Sequence, residues 1–271
     1  MMHRTKAAIW LTWACLGLGA NASAGMGRQQ IADLFSQANE AFRKANTQGD
    51  PAIQQPLYDK AILNCQKIVQ DGHVHNAKLY YNLANAYLLK GDIGQAILNY
   101  RRAEGLDGGD ANIQKNLAFA RSRRIDQVPV KTEQQVMRTL LFWHYDLATK
   151  TRLLGTHLAM AAVCLSLTVM VWRGRSSPAI LAAVIAAILV VCLAGSVSVE
   201  VLHKAGKAYG VITAGKVVAR QGDGPNYPES FTAPLHAGTE FELIERRPGW
   251  LHIRLTDDRD TWINDAVAEL I

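Results

Sequence analysis

The stretch that decides the fold is residues 77–110, which read AKLYYNLANAYLLKGDIGQAILNYRRAEGLDGGD. Residues 82–86 (NLANA) return as residues 116–120 (NLAFA), 34 positions later. Upstream, the tetrapeptide AILN that begins at Ala61 returns unchanged at Ala96, 35 positions later. A period near 34 residues on helical sequence is typical of stacked helix–turn–helix repeats, which leave a concave surface for a partner. The repeat therefore predicts a protein that binds another protein.

Two apolar stripes at helical spacing lie within residues 77–110, and the turn signal Gly91-Asp92 separates them. The stripes are Tyr80, Leu83, Ala84 and Tyr87, then Ile93, Ala96, Ile97, Tyr100 and Ala103. Small and large residues alternate, so the two helices can interlock. On these residues the stretch resembles a tetratricopeptide repeat (TPR). It departs from that family at Gly108, where proline is usual, and at Ala84, where glycine is usual.

Two less complete copies flank this repeat. Upstream, apolar spacing predicts one helix near residues 35–42 and a second near 58–68, with about eleven extra residues between them, including Pro51 and Pro56. Downstream, residues 111–124 keep only a first helix and end in a basic, polar stretch that is typical of a cap. We expect about two and a half repeats over residues 27–126, forming an α-helical TPR solenoid.

Residues 1–24 have the organisation of a secretory signal peptide. Arg4 and Lys6 precede an apolar stretch, and Ala22-Ser23-Ala24 precedes the expected cleavage point. An uncleaved anchor is the alternative. Either reading predicts export of the segment that follows.

Two later segments, residues 153–172 and 179–199, are candidate transmembrane helices. At about 1.5 Å per residue each reaches roughly 30 Å, enough to cross a bilayer. A short loop with Arg173 and Arg175 joins them, so we expect a hairpin; a buried pair of soluble helices is the alternative. The loop favours a cytoplasmic turn, but other cations flank the far ends and the charge count alone does not decide. With the signal peptide, this predicts that both soluble parts lie on the periplasmic side of a bacterial cytoplasmic (inner) membrane.

The segment 127–152, which precedes the first span, is rich in aromatic residues near its middle (residues 139–145, TLLFWHY). Trp and Tyr favour the headgroup level of a bilayer, so we expect an interfacial helix or elbow. A short core helix of the repeat domain is the alternative.

Charge is divided unevenly along the chain, whose net charge is +6. Residues 209–271 hold six Lys/Arg against ten Asp/Glu, a net −4, so the rest of the chain is basic. Basic charge beside a membrane predicts contact with anionic lipid headgroups or with an acidic partner. Nucleic acid is not expected as a partner of an exported protein.

The C-terminal segment changes to short alternating runs, separated by Gly and Pro turns, which predict a small all-β barrel over residues 209–271. The segment resembles a bacterial SH3-like domain at Arg220, Gly222, Pro225, Tyr227, Leu235, Gly238, Gly249-Trp250, Trp262-Ile263 and Ile271. The resemblance implies that Tyr227, Trp250 and Trp262 contact a peptide or cell-wall ligand. The alternative is that these residues form the barrel core. Thr261 stands where that family usually has glycine.

The sequence contains no recognisable catalytic, phosphate-binding or disulfide pattern, and His73 and His75 have no partner set at metal-ligand spacing. We therefore predict a protein that is not an enzyme and that has no cofactor or metal site.

The order of signal peptide, TPR repeats, two-span hairpin and SH3-like barrel resembles the BatE family of the bacterial aerotolerance operon. Residues 80–83 (YYNL), 101–103 (RRA) and 142–144 (FWH) add to this resemblance. It implies work beside membrane-anchored von Willebrand A-domain Bat proteins and a MoxR-type ATPase in envelope stress tolerance. We predict a multidomain, membrane-anchored scaffold; the alternative is a peptidoglycan-binding module that acts through the barrel.

A second stripe on the repeat helices is not needed by the repeat core. It consists of Lys78, Tyr81, Asn82, Asn85 and Leu89, and continues through Lys115, Asn116 and Phe119. The TPR resemblance implies that this stripe lines the concave face, that Asn82 and Asn85 hold a peptide backbone, and that Lys78 and Lys115 meet a carboxylate. Replacing both amides is then expected to weaken binding and barely change the melting temperature. The alternative is that these amides bond neighbouring repeats.

Overall fold

A computed structural model describes residues 26–126, 141, 143, 147, 149–204 and 206–271. The predicted signal peptide and most of the predicted interfacial segment fall outside these residues. Within them, the chain forms seven α-helices and a small antiparallel sheet region at the C-terminal end.

Five helices form the N-terminal part, and each packs against the next along the chain. They are α1 (Arg28–Thr47), α2 (Pro51–Gln70), α3 (Ala77–Lys90), α4 (Ile93–Leu106) and α5 (Ala111–Ser122). Asp50, Asn76, Asp92 and Asp110 cap the N-termini of α2 to α5 by accepting a hydrogen bond from a backbone N–H of the first turn. These caps fix where each helix begins.

The sequence repeat is in part a repeat of burial. Ala61 and Ile62 on α2, and their copies Ala96 and Ile97 on α4, are all buried. The predicted stripe of α3 is buried at all four positions, and that of α4 at all but the half-buried Ile93. The predicted apolar faces are therefore confirmed.

The extra residues in the first copy lengthen its helices and do not form a loop. Helices α1 and α2 have 20 residues each, against 14 in α3 and α4, and only residues 48–50 join them. Pro51 is the first residue of α2, where its missing N–H costs nothing. Pro56 lies within α2, so the helix gives up one internal hydrogen bond there.

Helices α6 (Thr149–Arg173) and α7 (Ser177–Lys204) pack against each other as a hairpin. Both are long and apolar enough to cross a membrane, and only 6% and 11% of their apolar windows are buried inside the protein. A buried helix pair in a soluble core has the opposite pattern, so this exposure argues against the soluble alternative. Near the open end of the hairpin, buried Arg152 donates to Ser196 Oγ (2.7 Å) and pairs with Glu200.

The C-terminal part is built from short antiparallel strands. They are β1 (Ala208–Ile212), β2 (Lys216–Val217), β3 (Leu235–His236), β4 (Glu240–Arg247), β5 (Trp250–Leu255), β6 (Asp260–Asn264) and β7 (Ala268–Leu270). Five of them form a sheet in the order β6-β5-β4-β1-β7, and β2 pairs with β3. The alternating runs at residues 216–220, 239–245, 250–254 and 261–263 each contain a strand, whereas the sequence reading missed β1, β3 and β7.

The sheet region docks on the helices, chiefly by β1 against α4. Val211 of β1 packs into the helical core and is fully buried. Two glycines permit the close approach. A Cβ at Gly94 of α4 would lie 3.0 Å from the carbonyl oxygen of Ile212, and one at Gly238 would lie 2.9 Å from Ile97 Cδ1. The two parts thus share one apolar contact that the sequence reading did not predict.

Candidate functional site

The predicted binding stripe lies on α3 and α5, and its residues divide by exposure. Leu89 is 49% exposed and Phe119 is 48% exposed. Lys78 and Lys115 are exposed as well, and neither has an ion-pair partner in the described part of the chain. We call these four residues the open face. The remaining stripe residues, Tyr81, Asn82, Asn85 and Asn116, are half-buried.

Asn85 joins three helices by hydrogen bonds. Its Oδ1 accepts from the Tyr100 hydroxyl of α4 and from Asn116 Nδ2 of α5 (3.0 Å). The same Asn116 nitrogen also donates to the Tyr81 hydroxyl (3.0 Å). Burial raises the pKa of Tyr100, so its hydroxyl remains a donor at neutral pH. These bonds give Asn85, Asn116 and Tyr81 a structural role between repeats.

Asn82 is placed differently, because its only hydrogen bond in the described structure is a long one of 3.4 Å to Asn39 Oδ1. The two amides line a small pocket of about 40 Å³ between α1, α2 and α3, with Phe42 and Cys65. Burial raises the pKa of the Cys65 thiol to about 11, so the thiol is neutral and unreactive at physiological pH. Asn82 and Asn39 are thus the amides available to a ligand.

Sequence reasoning missed two residues of this region. Ala38-Asn39 repeats the pair Ala84-Asn85, and this repetition was the signal that could have placed Asn39 in the pocket. Arg123 lies over the Phe119 ring, 4.9 Å from its centroid, and so adds a third cation beside Lys78 and Lys115. The open face, taken together with Arg123, therefore combines apolar and cationic groups.

The other side of the helical part meets the sheet through a buried carboxylate. Glu240 is 14% exposed, and Arg121 holds it with two hydrogen bonds of 2.7 Å, from Nε and Nη2. Arg101 and Arg124 each approach it within 3.3 Å. Burial alone would raise the pKa of Glu240, but the three guanidinium groups outweigh this and hold it below its ordinary value. We call these four residues the arginine clamp.

Two further contacts complete the docking. The Asp126 carboxylate accepts from the His236 backbone N–H (2.6 Å) and the Thr239 hydroxyl (2.8 Å), and lies 2.8 Å from His236 Nδ1. These bonds outweigh the effect of burial and lower the pKa of Asp126. Glu269 accepts from Gln95 Nε2 (2.7 Å) and pairs with Arg102. Acidic groups of the sheet region thus meet arginines of the helices.

The predicted barrel contacts differ in exposure, although the strand register places Trp250 and Trp262 on the same face of the sheet. Trp262 is 8% exposed, since His252 stacks on its ring (4.6 Å between centroids) and the Arg247 guanidinium lies 4.7 Å from it. Trp250 is half-buried, and Tyr227 is half exposed against Gly222. Thr261, where the SH3-like family usually has glycine, is buried and donates to the Arg220 carbonyl (3.0 Å).

The two histidines of the loop before α3 do not form a cluster with carboxylates or cysteines. His75 Nδ1 lies 2.6 Å from the Tyr80 hydroxyl, and the rings stack. In the described ranges, no group of three His, Cys, Asp or Glu side chains could hold a metal ion.

Comparison with known protein families and with curated proteins gives no match to this chain.

Proposed function

We propose that this protein is a membrane-anchored, non-enzymatic scaffold that binds a protein partner through the open face. The observation that carries the proposal is the pairing of exposed Leu89 and Phe119 with the unpaired cations Lys78 and Lys115. Large apolar side chains next to free cations suit a partner segment that brings apolar anchors and at least one carboxylate. The amides of Asn82 and Asn39, which share only one long hydrogen bond, add backbone recognition at the pocket.

The contacts between the sheet region and the helical part support the proposal that both lie on the same side of the membrane. Helix α6 follows the helical part and α7 leads directly into β1, so a chain that crosses twice returns to the side it left. The arginine clamp, Val211 and Gly94 connect the two soluble parts, which supports the proposal that they share a compartment. The predicted signal peptide supports the periplasm as that compartment. Reporter fusions after Arg124 and after Ile271 are expected to be active only outside the cytoplasm, and a fusion after Ser176 only inside.

The proposed family setting is a Bat-type complex. The helical repeats with a groove then correspond to TPR repeats, and the small sheet region to an SH3-like barrel. The proposed partners are von Willebrand A-domain Bat proteins, which work with a MoxR-type ATPase in envelope stress tolerance. In this proposal the barrel has a structural role. Its residue Glu240 binds Arg121 of the helical part, and His252 covers the ring of Trp262.

Site-specific photocrosslinking in intact cells tests the proposal. A photoreactive residue at position 119 is expected to trap one predominant partner containing a von Willebrand A domain. The matched control carries the same residue at exposed Lys60 of α2, a helix that contributes no residue to the open face. A second arm adds Leu89→Ser to the position-119 probe, which is expected to lower the yield severalfold. Equal trapping from positions 119 and 60, or trapping that ignores Leu89→Ser, would contradict the proposal.

A further inference from the structure

A cleft of about 930 Å³ lies where the helical part, the open end of the hairpin and the start of the sheet meet. Its hairpin wall comes from the first turn of α6, with Lys150 and Arg152, and from the last turns of α7, with Glu200 and Val201. If the hairpin crosses a bilayer, as proposed above, the ends of α6 and α7 lie at the level of the lipid headgroups. The cleft therefore opens at the membrane surface.

The hairpin wall presents donors that the protein itself does not use. Arg152 is only 3% exposed, and its two Nη atoms bond Ser196, Thr149 and Glu200. Its Nε–H is buried without a hydrogen-bond acceptor among the described residues. A buried donor without an acceptor is costly, and natural structures usually satisfy it with water, an ion or a ligand. The exposed ammonium of neighbouring Lys150 has no ion-pair partner in the described ranges.

On the wall contributed by the helical part, Arg101 and Arg121 line the cleft together with Glu104 and Asp107. Asp107, just after α4, is exposed and has no ion-pair partner among the residues that the structure describes. The remaining acids of the cleft are occupied: Glu104 pairs with Arg101 and Glu200 with Arg152. Apolar side chains, among them Leu117 and Val201, complete the lining. The arginines of this wall pair with Glu104 and Glu240, and Lys207 at the start of the sheet pairs with Glu242. The unpaired charges of the described lining are thus Lys150 on the hairpin wall, which we call the cationic wall, and Asp107 on the helical wall.

We infer that this cleft binds the headgroup of a zwitterionic phospholipid, with its phosphate at Arg152 and Lys150 and its ammonium at Asp107. The phosphate supplies the acceptor that Arg152 Nε–H lacks. The ammonium meets the carboxylate of the facing wall, and the glycerol and first acyl carbons lie on the apolar lining. A purely anionic headgroup satisfies the cationic wall and is repelled by Asp107.

The test uses the full-length protein, purified in an uncharged detergent that contains no phosphate. Phosphatidylethanolamine is titrated into the micelles, and thermal unfolding is followed by tryptophan fluorescence. The expected result is a saturable rise in melting temperature. Lys150→Gln and Asp107→Asn are each expected to raise the half-saturating lipid fraction about tenfold, the loss of one hydrogen bond to a charged group. Both residues are exposed, so neither change threatens the fold.

Two controls separate this site from general attraction to lipids. Arg175→Gln removes a cation at the other end of the hairpin and is expected to leave the titration unchanged. Phosphatidylglycerol, diacylglycerol and inorganic phosphate alone are each expected to give a smaller rise than phosphatidylethanolamine. An equal or larger rise with any of the three would overturn the inference, as would an Arg175→Gln shift as large as that of Lys150→Gln. The open face plays no part in this measurement, so its outcome is independent of partner crosslinking.

Discussion

The helical part has two basic faces, and the protein uses them in opposite ways. On the docked face, Arg101, Arg121 and Arg124 surround Glu240 and share its carboxylate. On the open face, Lys78 and Lys115 have no ion-pair partner among the described residues, and Leu89 and Phe119 are exposed. The sequence analysis expected the basic charge to contact lipid headgroups or an acidic partner. Part of that charge is instead bound by an acidic residue of the same chain. Of these two faces, the open face is the one that the described part of the chain leaves uncovered.

The largest expected effect comes from removing the carboxylate of the clamp. Glu240→Gln leaves three guanidinium groups around a neutral side chain, and an uncompensated buried charge costs about 3 kcal/mol of unfolding free energy. The matched control is Glu245→Gln, whose partner Arg247 is exposed, so the expected change is below about 1 kcal/mol. Denaturant unfolding of the full-length protein in detergent, followed by tryptophan fluorescence, measures both changes. Equal effects of the two substitutions would show that the docked face contributes no special stability.

Acid is expected to weaken the same face by a smaller amount. The folded-state pKa values of Glu240 and Asp126 are lowered, so the unfolded chain binds more protons than the folded chain in acid. Their contribution is therefore complete above the ordinary carboxyl pKa of about 4 and is lost as the pH falls through the lower folded-state values. The slope of unfolding free energy against pH measures this loss. Glu240→Gln is expected to flatten the slope, and Glu245→Gln to retain it.

The amides of the predicted binding stripe divide into those with a structural role and those available to a ligand. Asn85→Ala removes the acceptor of the fully buried Tyr100 hydroxyl, which costs about 2 kcal/mol. Asn82→Ala removes only a 3.4 Å contact with Asn39, so a change of about 0.5 kcal/mol or less is expected. Thermal unfolding of the two single variants tests this difference. A stable Asn85→Ala variant would restore the sequence-based expectation that both amides serve the ligand.

Sequence reasoning predicted those features of the structure that are marked by a local pattern of apolar residues. The burial of Ala61, Ala96 and Tyr100 follows from spacing of three and four residues, and the apolar hairpin follows from length and composition. The strand around Trp250 follows from alternation between two turns. Each of these signals is contained within about twenty neighbouring residues.

The parts that it missed depend on contacts between distant segments. Glu240 and Arg121 are 119 positions apart, and no local pattern marks them as partners. For Asn85 the sequence left two roles open, ligand binding and bonding of neighbouring repeats, because its spacing is the same in both; the packing of α3 against α4 brings its amide to Tyr100. Strand β1 was missed because it follows α7 within a few residues and has glycine at its centre.

The smallest expected effect concerns the close approach that holds the docked face together. Two glycines of α4 make a matched pair: Gly94 lies under the sheet, whereas a Cβ at Gly105 meets nothing within 4 Å. Alanine at either site favours the helix, so Gly105→Ala is expected to stabilise the protein by about 0.5–1 kcal/mol. At Gly94 the new Cβ would lie 3.0 Å from Ile212 O and from Thr213 Cα, which are backbone atoms that cannot turn aside. This overpacking is expected to reverse the sign of the change in unfolding free energy, with a net loss of about 1 kcal/mol.

Thermal unfolding of the two variants under identical conditions measures the difference. If Gly94→Ala stabilises the protein as much as Gly105→Ala does, the helices and the sheet do not approach as closely as described, and the two faces of the helical part are equally open.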